Sequence, residues 1–287
     1  MEISLKSGNV SAKLNSHGAE LRSLMIGGRE LMWNADPKYW AKTSPILFPM
    51  VGALKDGKTL ILGKEYKLPK HGFTRDLELT AETVSSTSAL FSLEQSDYTK
   101  EFYPFDFRFT VRYTLKTDGI TVTYRVKNNS ADEMPFCIGA HPAFAFDGEF
   151  SDHRLEFPKP ETAAVPFFET PAGIFHPNDR RTIIENSTVL QLNHEMFYGD
   201  VLYFDKPNSR SVMFLDKGNK GVRVDYPDFT GIGFWQAKDA PFLCLEPWCG
   251  SADFVDCTGV FAEKPGIEIL KPDEERAFTY SISAVGY

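Results

Sequence analysis

Two ionisable residues of this sequence, His141 and Glu246, each stand directly before a proline at the end of an apolar stretch. Proline biases the preceding residue towards an extended backbone, and it belongs at strand ends, edges or bulges because it has no N–H. Both side chains are therefore expected to project from strand ends. A carboxylate and an imidazole are frequent partners in general acid–base catalysis. Either residue alone would be more typical of a structural group, but the two together predict a site.

Glu246 is predicted to lie on an apolar face of its strand, where a carboxylate without partners is unfavourable. Alternation along the strand puts Glu246 on the same face as three other side chains, those of Phe242, Cys244 and Trp248. A carboxylate on a largely apolar face is unfavourable unless it has partners or faces a cavity. Glu246 and His141 are therefore expected to open into one cleft.

A third run, residues 70–76, gathers polar side chains around Gly72. A loop is its natural position, and loops often carry function. A solvated turn with Arg75 and Asp76 as neighbours explains the same residues equally well. The residues of this run alone leave both interpretations open.

The elements that must position these residues are antiparallel strands. Apolar side chains alternate through residues 108–116 and again through 120–126, and Asp118-Gly119 between them predicts a hairpin, because both turn positions tolerate positive φ. Alternation that leaves one face polar is typical of antiparallel sheets. Further strands are predicted at 2–6, 10–14, 19–26, 60–68, 77–83, 88–94, 188–192, 201–205, 211–216, 222–226, 231–235 and 278–284.

The rest of the chain contains few helices and one long irregular stretch. Short helical turns are predicted near 37–41 and 96–101. Residues 157–180 carry five prolines and predict a long loop. Strand patterns of the same character continue after it, so we interpret residues 1–287 as one all-β domain.

Composition narrows the classes of function. The formal net charge of −8 argues against binding to a nucleic acid backbone. The four cysteines form no C-x-x-C pair and no histidine is grouped with them, so no metal site is predicted. No stretch reaches the ~18 apolar residues of a membrane helix, and the N-terminus lacks the apolar segment of a secretory leader. These features predict a cytoplasmic protein with reduced thiols and no membrane partner.

Four short motifs occur in order, at residues 48–52, 71–76, 139–144 and 246–250. Together they resemble the aldose 1-epimerase (galactose mutarotase-like) family, in particular its LacX-like bacterial branch. The similarity extends from the strand that begins at Gly18 to the segment that ends at Ile267. It implies an all-β antiparallel β-supersandwich with few short helices and an open cleft on one sheet.

The resemblance also implies catalytic roles. Glu246 matches the general base of the family and His141 its general acid, while His71 matches a histidine that orients the sugar. No cofactor or metal is implied. Anomer exchange requires a base that removes the proton of the C1 hydroxyl and an acid that protonates the ring oxygen. We expect Glu246 to be ionised and His141 protonated, with room for a six-membered ring between them.

Further contacts to a monosaccharide substrate follow from the same resemblance. A sugar-binding aspartate matches Asp200 best, although Asp205 follows closely. Arg75 resembles an arginine beside the cleft histidine, a feature also found in related hexose-6-phosphate epimerases. Trp248 is expected to cover the sugar and exclude water.

The identity of the sugar and the oligomeric state stay open. Residues 53–56 depart from the arginine-containing run of galactose mutarotases, which leaves the hydroxyl contacts undefined. A hexose-6-phosphate 1-epimerase is one alternative, with Arg75 and Lys55 as phosphate contacts. A non-catalytic carbohydrate-binding or sugar-sensing protein is another. A glycoside hydrolase ranks last, because only one convincing carboxylate is present where two are needed.

Overall fold

The computed structural model describes all 287 residues, and strands make up most of its regular structure. The strands are β1 (Glu2–Ser7), β2 (Val10–Asn15), β3 (Glu20–Ile26), β4 (Arg29–Glu30), β5 (Ile46–Leu47), β6 (Thr59–Ile61), β7 (Lys64–Tyr66), β8 (Thr80–Ser85), β9 (Ser88–Glu94), β10 (Phe107–Leu115), β11 (Gly119–Asn128), β12 (Met134–Phe136), β13 (Ile138–Ala140), β14 (Ala143–Ala145), β15 (Arg154–Glu169), β16 (Ile174–Gln191), β17 (Leu202–Phe204), β18 (Ser211–Leu215), β19 (Gly221–Asp225), β20 (Gly231–Trp235), β21 (Phe242–Cys249), β22 (Glu268–Leu270) and β23 (Glu275–Val285).

Helical structure is confined to short pieces, as predicted. The single α-helix, α1, spans Asp97–Lys100 and begins at a Ser96 capping box. Five 3₁₀ turns cover Lys55–Gly57, Thr74–Asp76, Phe150–Asp152, His194–Phe197 and Phe261–Glu263. No helix is long and apolar enough to cross a membrane.

The strands form two large sheets and three smaller ones, and every strand pair is antiparallel. The nine-stranded sheet has the order β16-β15-β18-β19-β23-β11-β10-β9-β8, and the six-stranded sheet has the order β17-β20-β21-β13-β5 with β14 also paired to β21. A four-stranded sheet contains β1 to β4, and the pairs β12-β22 and β6-β7 complete the fold. The predicted all-β antiparallel architecture is confirmed.

One hydrophobic core of 74 buried residues draws on the four-, six- and nine-stranded sheets. Phe48, next to β5, stacks on Phe109 of β10 with the ring centroids 4.8 Å apart. Phe157 of β15 meets Phe234 of β20 edge to face. Such aromatic pairs add to the stabilisation that burial provides. Residues from these three sheets thus pack into one core.

The predicted hairpin is present, but its turn differs from the prediction. Strands β10 and β11 pair in register from Phe107 opposite Asn128 to Leu115 opposite Ile120. The Lys116 N–H donates to the Gly119 carbonyl at 2.8 Å, so the turn lies at Thr117 and Asp118, one residue before the predicted pair, and neither Asp118 nor Gly119 has positive φ. Glycine at 119 serves close packing instead, because a Cβ there would lie 1.9 Å from the Ile282 carbonyl oxygen.

The predicted loop at 157–180 is wrong: these residues belong to the long hairpin of β15 and β16. The loop was predicted from the prolines, but each proline lies at a position where a missing N–H is tolerated. Pro158, Pro160 and Pro166 fall at shifts in the strand register, and Pro177 lies on β16, the edge strand of the sheet. Near the tip, the Phe175 N–H donates to the Asp253 carbonyl at 2.8 Å, which fastens the hairpin to the body of the protein.

Two smaller predictions also need correction. Residues 60–68 form the short hairpin β6-β7 rather than one strand, since Leu62 and Gly63 both have positive φ and reverse the chain. The stretch 37–41 contains a turn without a helix, in which the Asp36 carbonyl accepts hydrogen bonds from the N–H groups of Tyr39 and Trp40.

Candidate functional site

A cleft of about 270 Å³ opens beside strand β21 and brings all six predicted site residues together. Its volume lies near the lower end of the range for small-molecule sites. The lining side chains are Trp40, Gly52, Lys70, His71, Arg75, His141, Phe168, Phe175, Asp200, Val201, Trp235, Glu246, Trp248 and Ala252. The six residues come from separate segments of the sequence, so only the tertiary fold could unite them.

Glu246 lies within strand β21, opposite Gly233 of β20, and is almost fully buried. The prediction that it stands at a strand end is therefore wrong. Strand β21 can continue through Pro247. Successive N–H groups of a strand point to opposite sides, so the Pro247 nitrogen is on the same side of the strand as the Leu245 N–H. On that side Leu245 donates to the Pro142 carbonyl in the break between β13 and β14. A missing donor at 247 costs little beside such a break.

His141 occupies that break, as its proline predicted. Strand β13 ends at Ala140 and β14 begins at Ala143, and both pair with β21. Trp40 stacks on the His141 ring with a centroid distance of 4.8 Å, and Trp235 contacts its edge at 5.6 Å. The imidazole is thereby held between aromatic rings and aimed at Glu246.

The two predicted catalytic groups touch each other directly. His141 Nε2 lies 3.2 Å from Glu246 Oε2, and the side chains are 9% and 1% exposed. The prediction that a six-membered ring fits between them is therefore wrong. A sugar can reach the pair only from its cleft side, where both residues line the same wall.

Burial shifts the pKa values of both groups. It raises the pKa of Glu246 well above its ordinary value, and the nearby Asp200 carboxylate raises it further, whereas Lys70 and the Trp248 indole oppose the rise. Burial also lowers the pKa of His141 to about 3. Burial thus disfavours the charged form of each group, and the ionised Glu246 and protonated His141 expected at the start of the reaction stay a prediction. Desolvation of the charged forms is the cause.

The backbone fixes the tautomer of His71. Its Nδ1 accepts a hydrogen bond from the Gly52 N–H at 3.1 Å, so its proton must be on Nε2 when the ring is neutral. Burial and the neighbouring His141 lower the pKa of His71 well below its usual range. His71 is thus a neutral donor at the cleft wall, with its ring centroid 5.7 Å from that of His141.

The structure distinguishes the two candidate aspartates. Asp200 lines the cleft and burial raises the pKa of its carboxyl group. Asp205 lies outside the cleft and forms an ion pair with Arg180 at 2.8 Å. Of the two, only Asp200 is placed to meet a ligand in this cleft.

Two cations line the cleft, and one of them differs from the prediction. Arg75 contributes a partly buried guanidinium, whose Nε is 3.5 Å from Asp76. Lys70 is the second, and it forms no ion pair with any carboxylate of the chain. Lys55, predicted as a possible phosphate contact, donates from Nζ to the Val255 carbonyl at 2.6 Å and lies outside the cleft. Lys70 was overlooked because residues 70–76 alone fitted a solvated turn.

Small residues on the neighbouring strands create the space for Trp248. A Cβ at Gly139 would lie 2.8 Å from the indole ring, and one at Gly233 would lie 3.0 Å from it. The buried indole N–H lies close enough to the Glu246 carboxyl group to lower its pKa, but it forms no hydrogen bond of normal geometry within the protein. Buried polar groups are normally paired, so this donor is available to a polar group in the cleft.

Four aromatic cleft residues escaped the sequence analysis: Trp40, Trp235, Phe168 and Phe175. Phe168 and Phe175 lie near the tip of the β15-β16 hairpin, in the stretch predicted as a loop. Trp40 follows the short turn at 36–39. The abundance of aromatics in the sequence was noted, but no local pattern separates a cleft aromatic from a core aromatic.

Cys244 lies close to the cleft pair. One potential ligand atom from each of Cys244, His141 and Glu246 lies within 4.8 Å of the others. All four cysteines are free thiols. The sequence showed no histidine grouped with a cysteine, yet the pairing of β14 with β21 places Cys244 opposite Ala143, next to the break that holds His141.

The raised pKa of Glu246 predicts a pH-dependent gain in stability for Glu246→Gln. Above pH ~4.5 the unfolded carboxyl group is ionised while the folded one keeps its proton, so the parent loses stability as pH rises, by about 1.4 kcal/mol per pH unit until the folded pKa is reached. Glutamine has no such penalty. Thermal unfolding should show a larger advantage of the variant at pH 8 than at pH 5, and an advantage that does not change with pH would contradict the raised pKa.

Comparison with known proteins gives matches over nearly the whole chain. The family model described as aldose 1-epimerase matches residues 1–283. The plasmid-encoded protein LacX of Lactococcus lactis subsp. lactis is 32% identical over 296 residues, which cover 99% of either chain.

Solved structures of similar fold extend the comparison. A galactose mutarotase related enzyme from Lactobacillus acidophilus is 27% identical with a TM-score of 0.92, covering 99% of this chain and 97% of its own. A galactose mutarotase-like protein from Lactobacillus casei superposes with a TM-score of 0.93 at 24% identity, covering 99% and 100% of the two chains. The latter similarity concerns the fold alone.

Proposed function

Because this chain belongs to the aldose 1-epimerase family, we propose that it interconverts the α and β anomers of a hexose by ring opening and reclosure at Glu246 and His141. The observation that carries this proposal is the direct contact of a carboxylate and an imidazole in the wall of a small cleft, 3.2 Å apart. No redox step and no external nucleophile is needed for the reaction.

The short distance between the two groups suits anomer exchange. The two oxygens that exchange protons, O1 and the ring oxygen, are bonded to the same carbon. An acid and a base that serve them must therefore lie side by side rather than on opposite sides of the ring. The contact between His141 Nε2 and Glu246 Oε2 supports this arrangement better than the wider spacing predicted from sequence.

The proton balance of the reaction also supports Glu246 and His141 as the acid–base pair. One proton is shared by Glu246 and His141, either as two ions or as two neutral groups. Ring opening moves the O1 proton to Glu246 and the His141 proton to the ring oxygen, which converts the ion pair into the neutral pair. Reclosure on the other face reverses both transfers. Burial favours the neutral state, which is the state that accompanies the open-chain sugar.

The remaining cleft residues hold the sugar. His71 offers an Nε2–H donor, Asp200 offers a carboxylate, and the Trp248 indole N–H has no other partner. Phe168 and Phe175 wall the cleft with apolar surface. These groups orient hydroxyls while the aromatic walls limit the access of water.

The test of this function is a panel of freshly dissolved aldoses, with anomer exchange followed by polarimetry or by NMR of the anomeric protons. We expect the protein to accelerate exchange for at least one hexose. Acceleration without any added metal or nucleotide is part of the proposal.

A hexose-6-phosphate 1-epimerase is the second candidate, favoured by Lys70 and Arg75. Both cations line the cleft, and Lys70 has no carboxylate partner. Guanidinium and ammonium groups form charge-assisted hydrogen bonds with phosphate. Asp200 in the same cleft disfavours an anion nearby, so a phosphate would have to sit on the Lys70 and Arg75 side.

Replacing Arg75 with alanine distinguishes the two substrates. If a sugar phosphate is the ligand, Arg75→Ala and Lys70→Ala should each weaken its binding much more than binding of the free sugar, by ~10-fold or more for a lost charge-assisted contact. Isothermal titration with a hexose and its 6-phosphate measures both. Equal weakening of the two ligands would contradict the phosphate candidate and leave Arg75 as a hydroxyl donor or a partner of Asp76.

A further inference from the structure

Cys244 makes the acid–base pair part of a three-donor cluster. The thiol of Cys244, the imidazole of His141 and the carboxylate of Glu246 are all buried, with their potential ligand atoms within 4.8 Å of one another. Cys244 and Glu246 are two positions apart on β21 and so project to the same face. Cys244 itself does not line the cleft.

The donor types and their charges fit a borderline-soft divalent cation. Sulfur, nitrogen and oxygen donors of this kind are the usual ligands of Zn²⁺, whereas Mg²⁺ and Ca²⁺ require more oxygen ligands. A thiolate and a carboxylate would neutralise the two positive charges, and such compensation is essential in a buried position. His141 supplies an imidazole nitrogen, a common ligand of Zn²⁺.

Two further observations point to a ligand at this place. Glu246 Oε2 is buried and accepts no hydrogen bond of normal geometry within the protein. His141 and Glu246 also form part of the cleft wall. A cation held by the three side chains would therefore be reached from the cleft and would keep one coordination position open towards it.

We propose that Zn²⁺, and cations of similar softness, bind to Cys244 Sγ, His141 Nε2 and the Glu246 carboxylate and thereby block the acid–base pair. Binding displaces two protons, one from the Cys244 thiol and the one shared by His141 and Glu246. The metal site itself stands independently of the proposed epimerase function, whereas the inhibition rests on that function.

Cobalt provides a test that needs no enzymatic activity. Co²⁺ added to the full chain should produce the near-ultraviolet absorption of a thiolate–cobalt bond, and Zn²⁺ should abolish it by displacement. Cys244→Ala should lose the band. It should also weaken metal affinity by at least ~10–100-fold, which is the loss typical even for removal of an outer-shell partner of a metal ligand. Cys244→Ser keeps the size of the side chain and should also lose the band.

Cys257 provides the matched control, since it is a free and more exposed thiol outside the cluster. Cys257→Ala should keep the band. In the anomer-exchange assay, Zn²⁺ should inhibit the parent and Cys257→Ala, while Mg²⁺ should not, and Cys244→Ser should be active but resistant to Zn²⁺. The proposal is overturned if the parent gives no cobalt band, if Cys244→Ser keeps it, or if Cys257→Ala loses it.

Discussion

Glu246→Gln and His141→Asn are each expected to lower kcat for anomer exchange by at least ~10²-fold, the lower range for a general acid–base group. Glutamine keeps the shape of the carboxylate but cannot accept the O1 proton, and asparagine keeps hydrogen bonding but cannot carry a proton to the ring oxygen. Sugar affinity should change much less, because the proposed contacts to the sugar are spread over His71, Asp200 and Trp248, which line the cleft. Progress curves and equilibrium binding on the same preparations measure both effects.

The double variant sharpens this experiment. Because the two side chains lie 3.2 Å apart and are proposed to serve one proton relay, combining the changes should cost less than the product of the single effects. Glu94→Gln and His17→Asn, both at exposed positions outside the cleft, are controls that should leave kcat unchanged. If the parent binds aldoses but does not accelerate their mutarotation at any pH, the non-catalytic sugar-binding alternative is preferred.

Asp253→Ala should be the most destabilising of the variants considered, at about 3–5 kcal/mol for the loss of one partner of a buried ion pair. Asp253 and Lys264 are each 3% exposed, and the Lys264 ammonium donates to the Asp253 carboxylate. The same carboxylate accepts the Lys55 N–H at 2.9 Å. Its removal leaves a buried ammonium and a backbone donor unpaired. Urea unfolding, with the midpoint and the slope compared, measures the loss.

Lys264→Met completes a double-mutant cycle. Replacing both members should cost less than the sum of the single losses, because an apolar pair carries no uncompensated charge. The exposed ion pair of Lys217 and Asp152 is the control, and Asp152→Ala should leave the urea midpoint essentially unchanged. A small loss for Asp253→Ala would show that the buried charge is solvated or paired by other means.

Asp253, which we expect to be important for stability, also contacts a residue of the cleft. Its carbonyl accepts the N–H of Phe175, a cleft residue on the β15-β16 hairpin, and its neighbour Ala252 lines the cleft. No sequence pattern indicated this role, because a single Asp253 and a single Lys264 carry no periodic or motif information. The role arises from contacts between segments that lie far apart in the chain.

The prolines show where reasoning from sequence fails. The five prolines of residues 157–180 were read as a loop, although four of them fit into strands β15 and β16 at register shifts or on the sheet edge. Pro247 was read as the end of a strand, although it lies inside β21 beside the break at His141. In each case the missing N–H points where no partner strand requires it, and that direction is a property of the assembled sheet.

The sequence by itself determined the strand-rich architecture and the identity of six cleft residues. Alternation of apolar and polar side chains is a local property, and it survives into strands such as β10 and β11 because one face of each is buried. The unusual placement of Glu246 and His141 before prolines was also local, and so were the four ordered motifs.

Only the tertiary structure decided how the site works. Four features depend on distances between distant segments: the contact of His141 with Glu246, the burial that disfavours their charged forms, the presence of Lys70 in place of Lys55, and the approach of Cys244. Desolvation is a sum over all surrounding atoms, so no stretch of sequence contains it. For that reason residue types could suggest an acid and a base, whereas their spacing and the direction of their pKa shifts emerged only from the fold.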